Sequence, residues 1–405
     1  MSKMNFSVSK NKEIVADELE DDEDEDYSSS SSSSSGNDNE ERKKLIKLLV
    51  IAILVIVGGI LLITFVTSLG GGSKTYEEIE VIMSNAAEAY FTNHPESLPQ
   101  RDGGSQTVDV SVLVAEGHMK DLVKYTDSLC TGTVKVQKAG TSYIYIPYLN
   151  CGESYSTEEL YDVVKNDNTI VSSGYGLYSK EGNFVFRGEQ VNNYVKLDNA
   201  LWRIVKLNGS RQIVLVMDKP LSVPVPWDDR YNETANYNAG INNFETSRIK
   251  ETLNTMYNSV DESVTKTLLS DKDKTRIVAH NSCTGKRGLK QAGAEQAIEC
   301  QNVSRDQKIS LLTAADFINA SVDANCTNPS SLTCQNYNYL VNDSSWWVST
   351  AVTNTTSKVY LVGANSGLEA KDAMMYGKIR PVVYLSSETM YKSGSGTEAD
   401  PYIVK

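Results

Sequence analysis

Apolar and polar positions follow three different periods along this chain. From Leu48 to Leu69 there is no alternation, and 22 residues pass without a charge. At about 1.5 Å per residue such a helix reaches roughly 33 Å, against about 30 Å for a bilayer core, which predicts a transmembrane anchor over residues 45–69. Beyond a Gly-rich linker at 70–74 the period becomes helical. Tyr76, Ile79, Met83, Ala86 and Tyr90 recur every three or four residues, Thr75 and Glu78 are spaced for a capping box, and Pro95 and Pro99 close the segment. Val108, Val110 and Val112 alternate as an extended piece, and Ser111 to Gly117 reads as a short helical turn capped by the glycine. The stretches 133–138 and 142–146 then read as strands around an Ala139-Gly140-Thr141 turn. A three-residue loop pairs Lys138 with Ser142, which sets Cys130 opposite Asn150, one position from Cys151.

Residues 154–182 form a mixed connector, with one helix predicted over Thr157 to Val164. From Asn183 the pattern shifts to short strands: Phe184 and Phe186, Val195 and Leu197, then Trp202–Leu207 and Gln212–Met217 separated by Asn208-Gly209, a two-residue hairpin signal. Helices are predicted over Glu245–Tyr257 and Ser310–Asn319. The remaining strands are Trp346–Val348, Val359–Val362 and Ile379–Leu385. Few helices and many short strands make this region, 183–405, an α+β domain.

Charge and cysteine placement fix the expected topology. Arg42, Lys43, Lys44 and Lys47 precede the apolar run and Glu77 and Glu78 follow it, so the N-terminus is expected in the cytoplasm and the bulk outside, at a cell membrane. Residues 1–44 include the acidic run Asp21–Asp26 and the serine run Ser28–Ser35, a composition that predicts disorder. The net charge is −13, and the first 47 residues hold seven Lys/Arg against thirteen Asp/Glu, so the rest is only mildly acidic. No long basic run follows the anchor, which argues against nucleic acid as a partner. All six cysteines lie beyond the anchor. Their even count fits an oxidising exterior, and sequence proximity favours Cys130–Cys151, Cys283–Cys300 and Cys326–Cys334 among the fifteen pairings that six cysteines allow.

Two resemblances bear on fold. The order of apolar run, amphipathic helix, VSVLVAEGHMKDL and a hairpin ending YIPYLNC resembles a type IV pilin or pseudopilin head over residues 45–153, without the prepilin processing pattern between Arg42 and Val50. The blocks FRGEQVNNYVKLDNALWRIVKLNG, FETSRIKETLN, IRPVVYLSS and GSGTEADPY resemble an uncharacterised surface domain of Firmicutes over 183–405, associated with C-type-lectin-like folds. That association implies that the first and last strands pair, Asn183–Arg187 beside Tyr402–Lys405. The lectin calcium motifs Glu-Pro-Asn and Trp-Asn-Asp are absent, so calcium-dependent sugar binding is not implied.

Candidate chemistry is sparse. His94, His118 and His280 lie far apart with no metal-ligand spacing, no Gly-x-Ser-x-Gly elbow occurs, and paired cysteines exclude thiol catalysis. No catalytic, metal or cofactor site is predicted. Aromatic residues in polar loops are the candidates: Trp227, Tyr337, Tyr339, and the adjacent Trp346 and Trp347, of which one is expected near the surface because successive strand side chains point to opposite faces. Flanking Asn and Asp suit stacking on sugar rings or anchoring a protein contact. The sequence therefore reads as a membrane-anchored surface protein that binds a glycan or protein. The alternative is a structural or assembly component allied to type IV pilus or type II secretion machinery.

Overall fold

A computed structural model describes residues 73–101, 104–139, 141–258 and 269–405. The expected tail at 1–44 and the anchor at 45–69 lie outside the described residues. Among those described, no helix is long and apolar enough to cross a membrane. The single-pass membrane assignment, and with it the cell-membrane location, is corrected on that finding. The longest described helix, α1 (Tyr76–Asn93), has 18 residues, and its exposed Glu77, Glu78 and Glu88 make it an amphipathic helix that lies on a sheet. The described structure is α+β, mostly sheet.

Helix α1 starts at the expected capping box. Thr75 Oγ1 accepts from the Glu78 amide at 3.2 Å, and the Glu78 carboxylate accepts from the Thr75 amide at 2.9 Å. Its buried face, with Ile79, Met83, Ala87 and Phe91, covers a small core. Strand β1 (Ser105–Asp109) passes directly into helix α2 (Val110–Ala115). The expected extended alternation stops there because the Asp109 carboxylate caps the helix, accepting from the Ser111 amide at 2.8 Å. Strands β2 (Thr131–Ala139) and β3 (Ser142–Asn150) complete an antiparallel sheet in the order β1-β2-β3. The hairpin pairs Ala139 with Ser142, one residue tighter than the sequence suggested, and Thr131 with Asn150. That register sets Cys130 directly opposite Cys151, and the two are disulfide-bonded with Cα atoms 4.1 Å apart.

Helix α3 (Leu160–Asp167) begins three residues later than expected and buries Leu160, Val163 and Val164 in a second, larger core. The strands β4 (Gly176–Lys180), β5 (Asn183–Arg187), β6 (Tyr194–Leu197), β7 (Ala200–Leu207) and β8 (Ile213–Met217) follow as antiparallel neighbours. Between β7 and β8 the expected two-residue turn is a five-residue loop, because the Asn208 side chain accepts from the Ser210 and Gln212 amides at 3.0 and 2.9 Å. Next come β9 (Pro224–Pro226), α4 (Arg248–Asn258), α5 (Asp271–Arg276), β10 (His280–Cys283), β11 (Lys286–Arg287), β12 (Val303–Gln307) and α6 (Ala314–Ala320). The chain closes with β13 (Trp346–Val352), β14 (Lys358–Val362), β15 (Leu368–Asp372), β16 (Tyr376–Lys378), β17 (Val382–Leu385), β18 (Tyr391–Ser393) and β19 (Tyr402–Val404).

These strands build an eight-stranded sheet running β17-β8-β7-β6-β19-β18, with β5 and β4 joined through β7, and a six-stranded sheet running β15-β14-β13-β16-β9, with β11 on β13. The last strand, β19, pairs in parallel with β6, Tyr402 beside Val195. The pairing implied by the lectin resemblance, last strand against Asn183–Arg187, does not form, since β5 is already held by β4 and β7. All three proximal disulfides are present.

Candidate functional site

The indoles expected to bind ligand are core side chains. Trp227, Trp346 and Trp347 are completely buried, and Tyr339 is nearly so. Strand β13 runs inside its sheet with every residue covered on both faces, which is why two adjacent tryptophans are buried together. Trp346 packs edge-on against Phe317 of α6 and under the Arg380 guanidinium, while Trp347 Nε1 donates to the Val225 carbonyl of β9 at 2.9 Å. Trp227 Nε1 donates to the Val348 carbonyl at 3.2 Å. Of the five expected aromatics only Tyr337 is open to solvent, with 52% of its surface exposed.

Tyr337 stands on a loop that chemistry on either side immobilises. The Cys326–Cys334 disulfide closes the chain three residues before it. Asn336 donates to Asp323 Oδ2 at 2.9 Å, and the Asn336 carbonyl accepts from Ser321 Oγ at 2.8 Å. Asn338, buried one residue after Tyr337, donates to the carbonyls of Phe317 and Cys334 and accepts from the Leu340 amide. Tyr337 itself has φ +50°, the left-handed region that a side chain with Cβ enters at a cost, and the bonds on both sides hold it there.

A second tyrosine comes from the segment leading into β4. Tyr175 is 40% exposed, and its ring lies 6.1 Å from that of Tyr337. It rests on Gly188, whose φ is +109° and where a Cβ would sit 2.4 Å from the Tyr175 ring. The Gly188 amide donates to the Ala320 carbonyl at 2.9 Å, and its own carbonyl accepts from the Tyr339 amide at 3.1 Å, so this glycine ties β5 to both α6 and the Tyr337 loop. Tyr175, Tyr178, Arg187, Val322, Tyr337 and the turn Ser172–Gly174 line an open groove of about 440 Å³. Across Tyr337 it meets a second hollow of about 640 Å³, rich in amides from Gln335, Asn336, Asn338 and Asn365, with Glu189 and Arg203 at its wall. The arrangement offers two tilted aromatic faces with amide donors and acceptors alongside, which suits a polar ring-shaped ligand.

A separate hollow of about 480 Å³ lies over His280 and Lys206. His280 stacks on Tyr384 at 3.8 Å, its Nε2 shares a hydrogen bond with Ser310 Oγ at 2.8 Å, and burial pushes its pKa down to about 4. Lys206 donates to Gln296 Oε1 at 2.8 Å and lies 3.4 Å from Asp316, which accepts from Gln296 Nε2 at 2.6 Å. Burial draws the Lys206 pKa down and Asp316 draws it up, the carboxylate prevailing. The Lys206, Gln296 and Asp316 groups satisfy one another, and Asp316 also caps α6 through Thr313, so this network reads as structural.

Sequence reasoning missed Tyr175, Tyr178, Arg187 and Gly188. The signal for the two tyrosines was the run Gly174-Tyr-Gly-Leu-Tyr178, with Tyr175 set between glycines, inside the stretch read as a connector. The chain matches no protein-family model, no curated protein and no solved structure.

Proposed function

We propose that this chain is a binding protein of an oxidising compartment and that the Tyr175–Tyr337 groove receives a saccharide. The observation that carries this reading is the pair of exposed tyrosines held 6.1 Å apart by a positive-φ glycine and a disulfide-braced loop, beside an amide-rich hollow. Rigid aromatic faces supply contact area at little entropic cost, and amides match the hydroxyls of a sugar. The three disulfides support an extracellular setting. The test is a glycan array probed with the full chain. Binding to a defined saccharide class is expected, with Tyr337→Ala about tenfold weaker, the loss of one aromatic stacking contact. Absence of any glycan ligand, or binding indifferent to this substitution, would overturn the reading.

One observation favours a second reading, an assembly component allied to pilus or secretion machinery: α1 packs along a three-stranded antiparallel sheet as a self-contained layer with its own core. Co-fractionation of the full chain with filaments or secretion complexes tests it, and its recovery outside both would sink it.

A further inference from the structure

We propose that the ligand of the Tyr175–Tyr337 groove carries a carboxylate, that it is an acidic saccharide of the uronic acid class, and that Arg187 is its anchor. This rests on the saccharide reading above and specifies it.

The argument starts from charge compensation. A guanidinium withdrawn from water needs an anion or several carbonyls, since uncompensated burial of charge is costly. Other buried guanidiniums here obey that rule. Arg287, fully buried, meets both oxygens of Glu299 at 2.7 and 2.9 Å and two further carbonyls. Arg380, also fully buried, donates to the carbonyls of Met217, Leu340 and Asp218 at 2.6–2.7 Å. Arg203 has Asn193 at 2.6 Å and Asp218 at 3.6 Å.

Arg187 departs from the pattern. It ends β5 on the groove wall, half-buried, with its guanidinium 4.7 Å from the centre of the Tyr178 ring. Its one hydrogen bond among the described residues is from Nη2 to the Ser321 carbonyl at 2.7 Å. Nε is buried with no partner, and among the described residues no carboxylate lies within salt-bridge distance. A guanidinium has five N–H donors in a planar fork, so four have no acceptor among the described residues, the buried Nε–H being one of them. Burial lowers its pKa, and no acidic side chain pulls it back up. Glu189, two residues further on, lines the neighbouring hollow. Tyr178, under the guanidinium, is fixed by donating to the Gly174 carbonyl at 2.7 Å, which holds the cation's stacking partner in place.

The missing counter-charge therefore belongs to what fills the groove. A planar carboxylate meets a guanidinium fork through paired charge-assisted hydrogen bonds, and the pyranose bearing it would reach the Tyr175 and Tyr337 rings that line the same hollow. Selectivity comes from one residue in one groove and not from the overall field, because the chain carries a net charge of −13 and repels polyanions at long range.

The experiment is calorimetric titration of the full chain with two matched oligosaccharides, one ending in glucuronic acid and the other in glucose. The acidic probe is expected to bind about tenfold tighter or more, the scale of a charge-assisted pair. Arg187→Gln is expected to remove that preference, so that the two probes bind alike, and Arg187→Lys to restore only part of it. Tyr337→Ala should weaken both probes alike. Unchanged thermal unfolding of the Arg187 variants certifies their fold, and relief of an uncompensated charge predicts that Arg187→Gln is no less stable than the parent. Equal affinity of the parent for both probes, or a preference that survives Arg187→Gln, overturns the carboxylate assignment and leaves the saccharide reading standing. Binding of neither probe by the parent, with no ligand on the array, removes both.

Discussion

At the scale of single residues, the telling side chains are those whose environment contradicts their type. Gly188 is the first. Its φ of +109° and the 2.4 Å approach that a Cβ would make to Tyr175 leave no room for any other residue. Gly188→Ala is expected to cost about 1–2 kcal/mol of stability through backbone strain and to displace Tyr175, so saccharide affinity should fall along with the melting temperature. A variant that melts lower yet binds normally would show that Tyr175 is not a ligand contact. His280 is the second. Its folded pKa of about 4 lies below the ordinary histidine value, so between about pH 4 and 6.5 the unfolded chain binds more protons than the folded one. Stability from this group is present above the upper value and is lost as the pH falls through that window, by about 3 kcal/mol in all. His280→Phe keeps an aromatic face against Tyr384 and removes the titration. Denaturant unfolding at several pH values should then show a shallower acid loss for the variant, and parallel curves would refute the assignment.

Among the elements, legibility in the sequence followed how local the determining interaction is. The capping box at Thr75, the helices α1 and α4 and the three short-range disulfides were readable because their partners lie close in the sequence, at most 21 residues apart for the disulfides. The Cys130–Cys151 hairpin was readable up to one residue: the loop tightened, and every pair below it moved. Asn208-Gly209 announced a turn, but the Asn208 side chain spent its acceptor on two amides and lengthened the loop. What stayed hidden was which face of a strand is covered. Trp346 and Trp347 alternate sides as any neighbours do, yet β13 has cover on both, a fact created by α6 and β9 from far along the chain. For the same reason Tyr175 and Arg187 were invisible as site residues, since only the pairing of β4 with β5 brings them to the Tyr337 loop. That loop yields its own test. Replacing Cys326 and Cys334 by serine opens a closure of eight residues, with an expected loss of about 2–3 kcal/mol. Because the disulfide holds the strained Tyr337 backbone, affinity should fall further than stability alone explains when measured well below the melting temperature. Full affinity in the reduced or serine form would show that Asn336 and Asn338 suffice to hold the loop.

For the described molecule as a whole, the last twenty residues join the two cores. Thr389 accepts from the Leu160 amide at 2.8 Å, Tyr391 donates its amide to Glu158 at 2.9 Å, and Lys135 pairs with Glu388. The strongest link is at Lys405. Its ammonium meets both oxygens of Glu80 at 2.8 Å, on the buried face of α1, where Glu80 also accepts from Tyr155 at 2.7 Å and from Thr157. Glu80 is only 4% exposed, and that ammonium is the counter-charge it faces. Removing one member of a buried pair costs more than the pair contributes, because the other is left charged and dry. Lys405→Ala is thus expected to destabilise the α1 layer by about 3 kcal/mol, while the double variant with Glu80→Gln, which removes the stranded charge and keeps an acceptor for Tyr155, should recover much of the loss. Calorimetry distinguishes this from a surface contact. The parent should unfold in one transition, Lys405→Ala should separate an earlier transition of the helix-on-sheet layer from that of the larger core, and the double variant should bring the two together again. A single unshifted transition in Lys405→Ala would mean that the two cores are coupled through other contacts, such as the Lys135–Glu388 pair, and not through this ion pair.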